Sequence, residues 1–315
     1  MPNMSSDNPV VAIAVADLHI TAEAPIARSG EPSWPAVLKR QFDQLKQLAF
    51  LHGVPIICAG DVFDRWNTSA EGISLALEHM PRMFAVPGQH DLPYHSLEGI
   101  GRSAYGVLMR AGKIENLEPG KPRVFGCAGS TRPIRLHGYP WGVPVQSQNR
   151  VKGDKCLEIA VVHAYCWTEN FKHQGAADSS KVSNFNLKGF DTAVFGDNHK
   201  PFTISTQGCD VSNCGGFFRR KSDEMSHHPT FTLIREDGSI TLQPVVVKED
   251  IFIAKAAKDV PTAEELLGVA EFVESLNTEN KHSFDFVEAL KIYRETHKLS
   301  PVASKLLHQL TNDSE

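Results

Sequence analysis

Residues 10–16 (VVAIAVA) are apolar on both alternations, the pattern of a strand buried on both faces. From Pro35 to His52, apolar Val37, Leu38, Phe42, Leu45, Leu48 and Ala49 recur at helical spacing, and Gly53 follows as a stop. VPIICA at 54–59 predicts a second buried strand, Ile73–Leu77 a helical stretch, and Met83–Val86 a short third strand. The buried-strand signature returns at Leu157–Val162 and Thr192–Phe195. Phe231–Ile234 and Ile240–Val246 flank Asp237-Gly238, a hairpin signal. Helices alternating with buried strands predict a layered α/β fold.

The pattern changes toward the end of the chain. Thr262 and Glu265 make a capping box before Leu266, Val269, Ala270, Val273 and Leu276. Ser283 is placed to cap a second helix, and Ser300-Pro301 opens a third. These predict a helical appendage, and a boundary that splits the chain into 1–250 and 251–315. Such helices either close the domain's own core or bind a partner.

Composition narrows the class. With 315 residues, 41% hydrophobic and 22% charged, the chain can bury a sizeable core. The run from Pro9 to Ala16 is too short for a membrane span, and no Lys or Arg precedes Arg28 as a signal peptide would require. Six cysteines form no CxxC pair, which fits free thiols in a reducing cytoplasm. The net charge of −5 argues against indiscriminate nucleic-acid binding. Residues 246–315 carry 13 acidic and 8 basic side chains, which is all of that excess, so the body is neutral and can hold local basic strips such as Arg219, Arg220 and Lys221.

The chemistry sits where strands end. Asp17 and His19 follow the first strand; Asp61, Asp64 and Arg65 follow the second; Gln89, His90 and Asp91 follow the third. His163 closes LEIAVVH, and Asp197 and His199 follow TAVF. Ligand sites of α/β sheets gather beyond the carboxyl ends of strands, so five such clusters point to one rim. In this order they resemble the calcineurin-like metallophosphoesterase superfamily, whose motifs read DxH, GDxxDR, GNHD, H and GHxH.

The resemblance implies a layered sandwich of two β-sheets flanked by helices, here with the small C-terminal helical appendage. It implies two divalent metal ions, Mn²⁺ or Mg²⁺, that activate water and clamp the phosphoryl oxygens. Asp17, His19, Asp61 and His199 would hold one; Asp61 would bridge to the second, completed by Gln89, His163 and Asp197. His90 matches the catalytic histidine, a general acid for the leaving alkoxide. Asp64 and Arg65 match structural supports. Gln89 stands where the family has Asn and Asp197 where it has His, both still competent ligands.

Within the superfamily the chain is similar to the SbcD-type nuclease branch in its compact bacteriophage versions. That implies a DNA exo- or endonuclease in an SbcCD-like recombination and repair complex, joined to an SbcC-like SMC-type ATPase through the C-terminal helices, in the cytoplasm of a bacterial host. A homodimer is allowed by analogy, and no membrane is expected. Arg65, Lys200, Arg219, Arg220, Lys221 and Lys172 are the cations for neighbouring phosphates. Tyr165, Trp167, Phe171 and Phe185, interleaved with Lys172 and Lys181, either stack on an unpaired base or pin their loop to the domain. His227-His228 reads as a solvated turn. The alternatives are a stand-alone phosphoesterase acting on a nucleotide, lipid or phosphoprotein, and a non-catalytic scaffold.

Overall fold

The structure, a computed structural model, describes residues 8–127, 129–150, 152–170 and 177–253. The chain divides into units Met1–Ala254 and Lys255–Glu315, and the three helices expected in the second unit lie outside the described residues. Along the first unit, β1 (Val10–Val15), α1 (Trp34–His52), β2 (Ile56–Cys58), α2 (Ala70–His79), β3 (Met83–Ala85), α3 (Ala104–Arg110) and β4 (Ile114–Asn116) alternate. There follow β5 (Arg123–Phe125), β6 (Ile134–Tyr139), β7 (Leu157–His163), β8 (Thr192–Gly196), β9 (Phe202–Thr206) and β10 (Cys209–Asn213). The hairpin of β11 (Thr230–Arg235) and β12 (Ile240–Pro244) closes the described series.

Two six-stranded sheets result, ordered β12-β11-β1-β2-β3-β4 and β5-β6-β7-β8-β10-β9. β1 to β4 are parallel, as are β6, β7, β8 and β10; antiparallel β11, β12, β5 and β9 extend them. The apolar runs are explained by burial on both faces. Ile13 and Val15 of β1 join a core with Val37, Leu38, Phe42 and Leu45 of α1. Val11, Ala12, Ala14 and Ala16 join Leu136, Ile159, Val161 and Val194 of the second sheet in another. A third cluster, with Val162, Phe195 and Val211, covers the second sheet's far side. Each fully buried Phe42- or Leu45-sized side chain contributes roughly 1.5–3 kcal/mol.

Local chemistry sets the boundaries of α1. Ser33 Oγ accepts from Ala36 N at 3.3 Å, Pro35 stands in the first turn, and Gly53 turns the chain away at φ 67°. Among the described helices, none is long and apolar enough to cross a membrane.

Candidate functional site

β1, β2, β7 and β8 end at one rim, and the turns beyond them are strained. Asp17, His19, Asp61 and Asp197 all have positive φ (53°, 42°, 52° and 85°), where side chains other than glycine are disfavoured. Four such residues out of seven in the described chain fall in this one place, so the packing is holding them there. Two glycines make the approach close enough. A Cβ on Gly60 would meet His163 Nδ1 at 2.1 Å, and one on Gly88 would meet Asp61 Oδ1 at 2.0 Å.

Donor atoms of Asp17, His19 and His199 lie within 4.8 Å of one another, and so do those of Asp17, Asp61 and His163. Asp17 belongs to both groups. Asp61 Oδ2 touches both as well, 3.5 Å from His163 Nε2 and 3.8 Å from His19 Nε2. His19 and His199 face each other Nε2 to Nε2 at 3.2 Å. Gln89 spans the second group, its Oε1 2.7 Å from His163 Nε2 and its Nε2 donating to Asp197 Oδ1 at 2.8 Å. The Asp197 N–H donates to both Asp17 oxygens at 3.0 and 3.1 Å. All seven side chains read at the strand ends therefore converge.

His90 stands at the edge of this group. Its Nδ1 lies 2.7 Å from the Asp64 carbonyl, which accepts the ring proton and leaves Nε2 toward the cleft, 4.0 Å from Asp61 Oδ2. The side chain is 43% exposed, open to a substrate in a way that the buried His19 and His163 are not.

The electrostatics are those of a site built around positive charge. Asp17 and Asp61 are each 1% exposed, and among the described residues no lysine or arginine pairs with either. Burial pushes the Asp17 carboxyl up to about 7, against the pull of His199 and His163. Burial also opposes ionisation of Asp61, but the His163, His19 and His90 rings hold its carboxyl below the ordinary range. Burial alone would lower His163; Asp61 beside it raises it to about 10. His19 is held well below the ordinary imidazole range by burial. Oxygen and imidazole donors without thiolate, around paired buried carboxylates, fit two hard or borderline divalent cations.

The cations expected on the rim separate. Lys200, Arg220 and Lys221 line a cleft of about 830 Å³ together with His19, Asp61, Asp64, Gln89, His90, Tyr165, Asp197 and His199. Arg219 does not: its guanidinium binds Asp250 at 2.9 Å and the carbonyls of Met225 and Val247. Arg65 is exposed but is not part of the cleft wall. Arg220 is spent within the site, donating to Asp64 Oδ1 at 2.6 Å. Lys172 and Phe171 lie outside the described residues. Trp167 donates to Ala177 O at 3.0 Å within its own loop, and Phe185 packs edge-on against Phe195 of β8, which pins that loop to the domain. His227 also differs from expectation: it is half-buried on the cleft wall, with Nε2 3.3 Å from Gly216 O.

Two acids take roles that the sequence reading does not assign. Asp91 is fully buried and accepts from the N–H groups of Val62, Phe63 and Gly88 at 3.1, 2.9 and 3.0 Å. It ties the loop carrying Asp61 to the one carrying Gln89 and His90. Its only signal is the Asp that closes GQHD. Glu224, beside the basic run, reaches back to His199, and nothing in local spacing marks it.

A model of the calcineurin-like phosphoesterase family matches residues 11–201. No curated protein matches the chain. Among solved structures, a candidate 5′-nucleotidase from Staphylococcus aureus in complex with alpha-ketoglutarate is 12% identical, with a TM-score of 0.46 over 79% of this chain and 56% of that one. The Thermus thermophilus sulfate thiohydrolase SoxB in complex with glycerol is 11% identical, with a TM-score of 0.43 over 86% and 61%. A 5′-nucleotidase precursor from Thermus thermophilus is 14% identical, with a TM-score of 0.45 over 85% and 59%. The chain thus spans less than two thirds of the length of each of these proteins.

Proposed function

The chain belongs to the calcineurin-like phosphoesterase family as a metal-dependent phosphoester hydrolase, and from that premise we propose that its substrate is a small phosphoester of the nucleotide class. The observation that carries this reading is the cleft itself. A volume of about 830 Å³ falls in the range of small-molecule sites. Its wall carries Asp61, Asp64, Asp197, Asp223 and Glu224 beside four histidines, while Arg220 is paired inside it and Arg219 is turned away. A polyanionic strand held over many phosphates needs a row of free cations, and this wall supplies Lys200 and Lys221.

The residues divide the work by position. Asp17, His19, Asp61 and His199 would hold one divalent cation, and Asp61, Gln89, His163 and Asp197 the other. When bound, such a pair supplies Lewis acidity and an activated water for an in-line displacement. Asp61 sits between the two groups and contributes to both. Gln89 fixes Asp197 and His163 relative to each other through its two amide ends. His90, oriented by the Asp64 carbonyl, presents Nε2 to the cleft and there delivers the proton that the leaving oxygen requires. Loss of a general acid typically costs about 10²–10⁴ in rate.

A DNA nuclease subunit working with an SMC-type ATPase is the second reading, supported by exposed Lys200 and Lys221 on the rim of a cleft open to solvent. One panel separates the two. Mn²⁺-loaded protein is assayed on nucleoside monophosphates, a cyclic nucleotide, a model aryl diester and linear duplex DNA, beside His90→Ala. Turnover of the nucleotides without DNA degradation, lost in the variant, supports the proposal. DNA degradation at comparable or higher efficiency transfers the assignment to the nuclease. Mn²⁺ uptake with no turnover of any substrate rejects both.

A further inference from the structure

The two histidines that face each other are backed by carboxylates that one short segment contacts. His19 and His199 approach Nε2 to Nε2 at 3.2 Å, so both rings aim that edge at a common point. Behind each ring lies a carboxylate. His19 Nδ1, buried and without a hydrogen-bond partner of its own, is 3.7 Å from Asp64 Oδ1, a charge contact rather than a hydrogen bond, and His199 Nδ1 is 3.6 Å from Glu224 Oε1. Both carboxylates are in turn gripped by consecutive residues. The Arg220 guanidinium donates to Asp64 Oδ1 at 2.6 Å, and the N–H groups of Arg220 and Lys221 donate to Glu224 Oε2 at 2.6 and 3.0 Å. The segment is anchored independently, through Arg219 on Asp250 and on the Met225 and Val247 carbonyls.

We propose that residues 220–224 form a positioning clamp: Glu224 directly, and Arg220 through Asp64, set the rings of His199 and His19 for one divalent cation. The inference rests on the metal-dependent reading above and goes beyond it, because it gives the basic run a role other than substrate binding. The physical reason lies in the two ring nitrogens. A neutral imidazole offers a lone pair at one nitrogen only when the proton sits on the other. A carboxylate behind Nδ1 favours the proton there, frees Nε2 and fixes the ring plane. Two rings set this way from opposite sides present two lone pairs to one point without further reorganisation. Arg220 keeps Asp64 turned toward His19 while the Asp64 carbonyl holds His90, so the same short stretch also borders the proton donor.

The test is a calorimetric Mn²⁺ titration of the full chain, wild type against Glu224→Gln and Arg220→Met, with thermal melts to confirm folding. Each variant is expected to weaken one of two Mn²⁺ sites by about ten- to a hundredfold, the range typical of lost outer partners, and to leave the other unchanged. In ¹⁵N spectra of the Mg²⁺-loaded wild type, both rings should be protonated at Nδ1 and bare at Nε2, and Glu224→Gln should mix the tautomers of His199. Should Glu224→Gln fail to fold, Arg220→Met probes the same clamp from its other arm. Wild-type affinity in both variants, or equal weakening of both sites, overturns the clamp while leaving the hydrolase reading intact. A wild type that takes up no Mn²⁺ overturns both.

Discussion

Replacing Asp91 with alanine removes the shared acceptor of three buried backbone donors. The carboxylate receives Val62 N, Phe63 N and Gly88 N at 3.1, 2.9 and 3.0 Å, and the residue is wholly out of solvent. A buried donor left without an acceptor costs about 1–3 kcal/mol. Allowing a water molecule into the vacated space to satisfy one donor, two remain, and the expected loss is roughly 2–6 kcal/mol. Against a total stability of about 5–15 kcal/mol this is severe. Asp91→Asn keeps the shape and one acceptor oxygen but turns an amide N–H₂ toward a donor, so it should fall between, at about 1–3 kcal/mol. Urea unfolding followed by the fluorescence of the four tryptophans measures both, with the slope unchanged if the unfolded state is unaffected. Because the same three donors hold the loops of Asp61 and His90, Mn²⁺ affinity should fall in the same order. A stability loss under about 1 kcal/mol for Asp91→Ala, or a large loss with unaltered Mn²⁺ affinity, would mean that Asp91 does not tie the two loops together.

Gly88→Ala places a Cβ 2.0 Å from Asp61 Oδ1 and 2.6 Å from its backbone nitrogen, so the carboxylate must move. A cost of about 1–3 kcal/mol is expected, with loss of Mn²⁺ binding, checked by melting and titration. Gly60→Ala adds a strained φ of 96° to a Cβ 2.1 Å from His163 Nδ1 and should be at least as damaging in the same assays. In the metal-free protein, His163 is raised from 6.5 to about 10, so the native state holds a proton that the unfolded state releases. That contribution is complete below pH 6.5 and is lost as pH rises toward 10. Between about pH 7 and 9 the metal-free protein should therefore lose stability, by up to about 1.4 kcal/mol per pH unit, while saturating Mn²⁺ abolishes the decline. Melting curves with chelator and with Mn²⁺ read this, and a flat metal-free profile would count against the Asp61–His163 pair.

Much of this fold is written in runs whose two faces are both apolar. β1, β7 and β8 are legible because cores lie on each side of them, and α1 because its stripe ends at Gly53. β10 is not legible: CDVSN is half polar, and it becomes a strand through pairing with β8 and through Ser212 Oγ bonded to Thr232 Oγ1 at 2.8 Å. β5, β6 and β9 are similarly hidden, since pairing partners rather than periodicity decide them. The candidate ligands are legible because strand ends are few and the sequence puts Asp and His at them. The basic run misleads for the opposite reason. Whether Arg219 and Arg220 face solvent depends on Asp250 and Asp64, 31 and 156 residues away in the chain, and no local pattern carries that information.

Anomalous diffraction at the manganese edge, from crystals of the full chain grown with Mn²⁺, would show whether Asp61 joins two cation sites. Two peaks are expected, one among Asp17, His19 and His199 and one among Gln89, His163 and Asp197, with an oxygen of Asp61 in contact with each. A single peak, or a pair of peaks neither of which touches Asp61, would rule out a two-cation site shared at Asp61.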